Sequence, residues 1–204
     1  LPPITEQKRI AAILQKADRI RQLRRYARQL SEGYLQSVFL EMFGDPASNP
    51  RGFTTKKLAE ILSKERFALV DGPFGSHLKA NEYTESGIRV IRVNNIKPNN
   101  FNFEDIRYIS EKKYLTIKRS TVRPGDIVMA KVGNTIGKTC IFPNEISYAV
   151  LTANVCKIST NPNIVHPFFT GFQMNLDYCQ KQIRNLSGDT AKPMINLQNL
   201  KELN

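Results

Sequence analysis

Apolar residues recur along the first part of the chain at Ile10, Ile13, Ala17, Ile20, Leu23, Ala27, Leu30 and Tyr34, in steps of three and four. That spacing lays one stripe along an α-helix, and its heptad-like repeat is the pattern of a coiled-coil seam. Pro2-Pro3 precedes the stripe, Thr5 is placed to cap it, and Glu6 suits the positive end of the helix dipole. Gly44, Asp45 and Pro46 end it, with Leu35, Val38, Phe39, Met42 and Phe43 widening the apolar face just before. A helix over residues 5–43 would be about 58 Å long at ~1.5 Å per residue. A compact chain of this size has a radius of gyration of roughly 17 Å. The helix is therefore expected to protrude, and its seam to need a partner helix.

After residue 44 the pattern changes to short apolar runs between turns. Strands are predicted over Ile88–Ile96, Ile127–Val132, Thr139–Phe142 and Tyr148–Ile158, with Arg123-Pro124-Gly125-Asp126 as a tight turn. His166-Pro167 opens a helix that runs through Phe168, Phe169, Phe172, Leu176, Cys179 and Ile183 until Gly188 breaks it. Met194–Leu197 reads as a last short strand, and Leu197, Leu200 and Leu203 as a helical turn. Strands and helices do not alternate regularly, which argues against a doubly wound parallel sheet. The expected fold class is α+β: a long protruding coiled-coil-type helix over residues 1–44, then a mixed domain with a small sheet over residues 45–204.

Composition adds a partner class. The 204 residues carry 30 Lys+Arg against 18 Asp+Glu, net +12, with 41% hydrophobic residues, enough for a core. Residues 1–44 hold eight basic and four acidic side chains, net +4, and the remainder is net +8. An excess of this size points to a polyanion, with nucleic acid first. Arg21, Arg24, Arg25 and Arg28 form a basic stripe on the helix, fit for phosphates or an acidic subunit and equally for solvent. No run approaches ~18 apolar residues, and no secretory leader pattern opens the chain, so a cytoplasmic protein without membrane partners is expected. Cys140, Cys156 and Cys179 form no Cys-x-x-Cys pair, and only His77 and His166 accompany them. Buried reduced thiols are expected there, and no metal site.

Two motifs tempt and fail. Gly133-Asn134-Thr135-Ile136-Gly137-Lys138-Thr139 is one residue short of a phosphate-binding loop, and a strand follows it rather than a helix. Asp105 with Glu111-Lys112-Lys113 imitates a metal-dependent nuclease, but its carboxylates lie in a polar stretch without a strong strand pair. No catalytic set emerges, so the chain reads as a binder rather than an enzyme. Base reading calls for Arg, Lys and Asn on loops beside a rigid sheet. Candidates are Ser76 and Lys79 beside His77, then Arg89, Arg92, Asn94, Asn95 and Lys97, then Lys131, Asn134, Thr135 and Lys138.

Leu1-Pro2-Pro3-Ile4-Thr5-Glu6-Gln7-Lys8-Arg9-Ile10-Ala11 resembles the segment that opens the conserved helical region in specificity subunits of type I restriction–modification systems. Gly72-Pro73-Phe74-Gly75-Ser76 with Leu78-Lys79 resembles the opening of that family's target recognition domain. Gly87-Ile88-Arg89-Val90-Ile91-Arg92 with Asn95-Ile96 resembles its next strand, and Arg123–Val128 with Gly133 and Gly137-Lys138 its central turn and strand. The order of these motifs matches the family's over nearly the whole chain. The resemblance implies one repeat cut in phase: a spacer and dimerisation helix (1–44) and one DNA target recognition domain (45–204). It implies no catalysis by the chain itself and no cofactor on it. S-adenosylmethionine, ATP and Mg are expected only on partner subunits, which methylate adenine or restrict DNA. Implied partners are double-stranded DNA, modification subunits, a restriction subunit, and a second such helix or a second copy against the Ile10–Tyr34 seam. The competing expectation is a basic coiled-coil module that binds nucleic acid or protein without sequence specificity.

Overall fold

The computed structural model describes residues 1–188 and 192–204, in two compact units, Leu1–Phe53 and Thr54–Asn204. The first is built on α1 (Ile4–Phe43), 40 residues long. Its cap is not Thr5. The helix starts one residue before Thr5, and the Pro3 carbonyl accepts from the Glu6 and Gln7 N–H groups at 3.0 Å each. Proline fits here because its missing N–H is one that no helix start can satisfy. Glu6 sits in the first turn and grips Arg9 through two bonds of 2.8 and 2.9 Å.

Gly44 stops the helix, as its sequence position predicts. Its φ is +80°, its N–H donates to the Leu40 carbonyl at 2.7 Å, and a Cβ there would lie 2.5 Å from Pro50 Cγ. The chain then folds back. Arg51 donates to the Glu41 carbonyl, Asn49 binds the backbone of Phe53, and the Phe43 and Phe53 rings lie 6.2 Å apart. This unit thus ends at Phe53 rather than at Gly44.

In the second unit a single helical turn, α2 (Leu58–Ile61), leads to β1 (Leu69–Asp71), β2 (Tyr83–Thr84) and β3 (Ile88–Ile91). A small hairpin, β4 (Ile96–Lys97) with β5 (Asn100–Phe101), comes next, then β6 (Arg107–Ile109), α3 (Glu111–Ile117) and β7 (Thr121–Val122). The chain continues through β8 (Ile127–Ala130), β9 (Thr139–Ile141), β10 (Ala149–Leu151) and β11 (Val155–Ile158). It closes with α4 (Pro167–Met174), α5 (Asp177–Leu186) and α6 (Leu197–Lys201).

The strands form two main sheets, ordered β1-β11-β8-β9 and β2-β6-β3-β10-β7. Every pairing is antiparallel except β3 with β10, so the sheet is mixed and not doubly wound. Alternation along the strands sorts the core. Ile127, Met129, Cys156 and Ile158 pack with Met174, Ile183, Ile195 and Leu200 from the helical side. Val128, Cys140 and Val155 face the other way and meet Ile91, Val122, Phe142 and Leu151 in the apolar layer between the sheets. Val90, Ile109 and Val150 form a third cluster with Ile117 of α3.

Four further sequence expectations are corrected. The run Ile88–Ile96 is a strand only to Ile91, because Asn95 folds its side chain back onto the Arg92 N–H and turns Val93–Asn95 into a 3₁₀ turn. Tyr148–Ile158 is two strands in two different sheets, parted by a turn at 152–154 in which the Val155 N–H donates to the Thr152 carbonyl. The helix opened by His166 breaks before Asp177, where Asn175 spends its side chain on Thr139 and the Gly171 carbonyl. Met194 makes one isolated bridge to Val132, and no strand forms around it.

Candidate nucleic-acid interface

Three loops carry the candidate side chains. The first leaves β1 at Asp71. Gly72 is buried against the next chain crossing, and a Cβ there would sit 2.0 Å from the Thr152 carbonyl oxygen, so only glycine fits. Beyond it Phe74 stands 70% exposed, and Gly75–His77 make one 3₁₀ turn closed by the His77 N–H on the Phe74 carbonyl at 2.8 Å. Ser76 and Lys79 are exposed. Glu82 fixes the end of this loop by accepting from the Lys79 N–H and pairing with Lys113, both at 2.7 Å. Lys113 in particular holds the Glu82 carboxyl below its ordinary range.

The second loop joins β8 to β9. It turns on Gly133 and Gly137, both at positive φ (+69° and +82°), and is closed by paired backbone bonds between Ala130 and the 137–138 segment. Gln180 donates to the Gly137 carbonyl at 2.8 Å from α5. Asn134 is exposed, while Thr135 and Lys138 are half-buried. The stretch Gly133–Thr135 is one 3₁₀ turn followed by strand β9, so no helix N-terminus faces a phosphate here.

The third loop follows β3. Asn94 and Lys97 are exposed, and Arg89 is half-buried on β3 opposite Tyr108. Asp105 holds a positive φ of +53° and gathers cations: Arg92 binds its carboxylate directly, Arg107 lies 3.2 Å away, and Asn94 donates at 3.3 Å. Its carboxyl titrates below the usual carboxylate value, chiefly because Arg92 hydrogen-bonds the ionised form. With Arg92 and Arg107 on it, Asp105 is spent, and the nuclease-like pattern dissolves. Among the described residues, no three His, Cys, Asp or Glu side chains gather as a metal would need.

The roots of the three loops converge. The turn at 152–154 donates from the Thr152 N–H to the Ile91 carbonyl (3.0 Å), just before Arg92. Its Thr152 carbonyl packs on Gly72, and its Asn154 carbonyl accepts from the Lys131 N–H at 2.9 Å. One crossing between the two sheets therefore seats all three loops.

Two of the predicted contact residues cannot face a ligand. Asn95 is fully buried, with its amide donating to the carbonyls of Asn102 and Glu104 at 3.0 Å each. Lys131 is 5% exposed and paired with Asp71 at 2.7 Å. Both residue types suggested a surface, and both are structural. Ser76, Lys79, Asn94, Lys97 and Asn134 lie exposed, whereas Arg89, Arg92, Thr135 and Lys138 are partly covered. Phe74, Phe103 and Arg107, which the sequence does not single out as contacts, are also exposed on or beside these loops. An aromatic between Gly72-Pro73 and Gly75 was the available signal for Phe74, since a tight turn leaves it no core to enter.

On α1 the seam residues Ile10, Ile13, Ala17, Ile20, Leu23, Ala27, Leu30 and Tyr34 are all exposed, Ile13 by 57% and Tyr34 by 70%. The three cysteines are free and buried, and burial pushes the Cys140 and Cys179 thiols up to about 12. Among the described residues no helix is long and apolar enough to cross a membrane.

No family model matches the chain. Curated relatives do. The chain is 26% identical to the type I restriction enzyme EcoBI specificity subunit of Escherichia coli, over 98% of its own length and 46% of that protein's. It is 22% identical to the MjaVIII specificity subunit of Methanocaldococcus jannaschii, over 96% of its length and 48% of that protein's. Its fold is similar to the crystal structure of the HsdS subunit from Thermoanaerobacter tengcongensis (TM-score 0.55, 17% identity, all of this chain and 46% of that one). A chain from a study of assembly and conformational transition of the type I R-M system matches likewise, with TM-score 0.57, 17% identity, and coverage of 100% and 47%. The chain spans about half the length of the curated relatives it matches. Over nearly its whole length, then, it is similar to type I restriction enzyme specificity subunits.

Proposed function

We propose that the chain is the DNA-reading part of a type I restriction–modification specificity subunit, and that it recognises one half of a bipartite, gapped site. The relationship to specificity subunits along almost the entire chain carries this reading. The three loops seated on one crossing support it, because base edges are discriminated by side chains held in fixed register on a rigid frame. Ser76, Lys79, Asn94, Lys97 and Asn134 are the exposed readers and phosphate contacts, with Arg89, Arg92, Thr135 and Lys138 at their margin. The basic surplus supplies affinity through phosphates, which falls steeply with salt.

In this reading the chain does no chemistry. It docks modification subunits that methylate adenine with S-adenosylmethionine, and a restriction subunit that consumes ATP with Mg. The α1 seam takes a second such helix, from the same subunit or a second copy, and sets the spacing of two half-sites about one duplex turn (~34 Å) apart.

Footprinting of the complex containing this chain on DNA tests the reading. Two protected patches with an unread gap between them are expected. Uniform protection without sequence preference would make the chain a non-specific basic module.

A further inference from the structure

Lys131 and Asp71 form an ion pair, 2.7 Å between Nζ and Oδ1, with the lysine side chain 6% exposed and the aspartate side chain 27% exposed. Among the described residues no other donor reaches that buried carboxylate oxygen. A pair of this kind is a poor source of stability, because desolvating the lysine consumes much of the attraction, and apolar replacements of like volume are often as stable. Its place in the fold offers a different use.

Asp71 is the last residue of β1, and Gly72, the root of the first reading loop, follows it directly. Lys131 directly follows β8 and begins the second reading loop. Each partner is pinned at its own backbone. The Asp71 carbonyl accepts the Ser120 hydroxyl at 2.7 Å, and the Gly72 N–H donates to the Val155 carbonyl at 3.0 Å. The Lys131 N–H donates to Asn154, and its carbonyl accepts from the Ile195 N–H at 3.1 Å. Strands β1 and β8 are not neighbours, because β11 lies between them. The side-chain pair therefore spans a strand and ties two loop roots that share no backbone bond.

We infer that the Lys131–Asp71 pair positions the 72–79 loop against the 132–138 loop, so that the two read DNA as one surface. The inference rests on the DNA-reading function above. Neither residue touches DNA, so both are positioning residues. Losing the pair relaxes discrimination at bases read by this chain and leaves phosphate-driven affinity in place.

The test uses the assembled complex containing this chain, with the variants K131M, D71N and K131M/D71N. Methylation rates are compared on duplexes carrying the wild-type site and every single-base change in each half. In the double variant the complex assembles and melts within a few degrees of wild type. Its discrimination falls at least tenfold in the half read by this chain, and the other half, as internal control, is unchanged. Unchanged discrimination in both halves overturns the inference. Equal loss in both halves, or failure of the double variant to assemble, also overturns it, since the pair would then be merely structural. A wild-type complex that methylates no split site instead overturns the DNA-reading function itself, a result visible before any variant is made.

Discussion

The two units solve the problem of apolar surface in opposite ways. The second closes on itself: alternate residues of β8 and β11 are shared between two buried layers, and Val128, Met129, Val155 and Cys156 have no exposed surface. The first presents a regular apolar seam of eight residues to solvent along a 40-residue helix. A large exposed patch in heptad register marks an interface, because a helix stripe is stable only when another surface covers it. The second unit thus covers its own apolar layers, and the seam of the first leaves its apolar side chains uncovered.

Opposite mutations break that comparison. Replacing Ile13 and Ile20 with Asp should abolish association of the complex in sedimentation or co-purification, while the thermal transition of the second unit stays in place. Phe142→Ala should do the reverse. The ring is fully buried against Phe101, and its loss should cost about 3–5 kcal/mol in denaturant unfolding without disrupting the seam. If the seam variant also melts the second unit, the two are not separable.

Within the second unit a smaller contrast separates two neighbouring asparagines. Asn95→Ala removes the partners of the Arg92 N–H and of two carbonyls, and should destabilise the unit by about 1–3 kcal/mol. Asn94→Ala and Asn134→Ala should leave stability within about 0.5 kcal/mol, as exposed substitutions do. Their effect should be on which half-site is bound. If overall affinity falls uniformly over all sequences, they are not readers.

The smallest effect concerns Asp105. Its carboxyl is depressed by Arg92, so the stabilisation of the ionised form is present above the ordinary value of 3.8 and is lost as pH falls below that, through the folded value. A carboxyl titration followed by NMR should have its midpoint below 3.8, moving upward in Arg92→Ala. Asp105→Asn leaves Arg92 on the Asp105 backbone carbonyl but should release Arg107 to phosphates, tighten binding to all duplexes alike, and steepen its salt dependence.

The long helix was legible because one local signal, the three-and-four spacing closed by Gly44, extends over many turns. The Arg123–Asp126 turn was legible for the same reason: Asp126 caps its own turn through the Arg123 N–H at 2.8 Å. What stayed hidden is long-range. Nothing local marks the turn at 152–154 that divides Tyr148–Ile158 between two sheets, yet that division seats the three loops. Lys131 and Asn95 looked like surface residues because their partners, Asp71 in one case and the backbone of 102–104 in the other, meet them only in the fold.

The central claim, that this chain reads half of a split DNA site, is tested most directly by mapping adenine methylation in DNA modified by the complex that contains it. A single gapped motif is predicted, with changes at Ser76, Asn94 and Asn134 altering one half and leaving the other intact. Methylation without a gapped motif, or one whose two halves both ignore those changes, would contradict it.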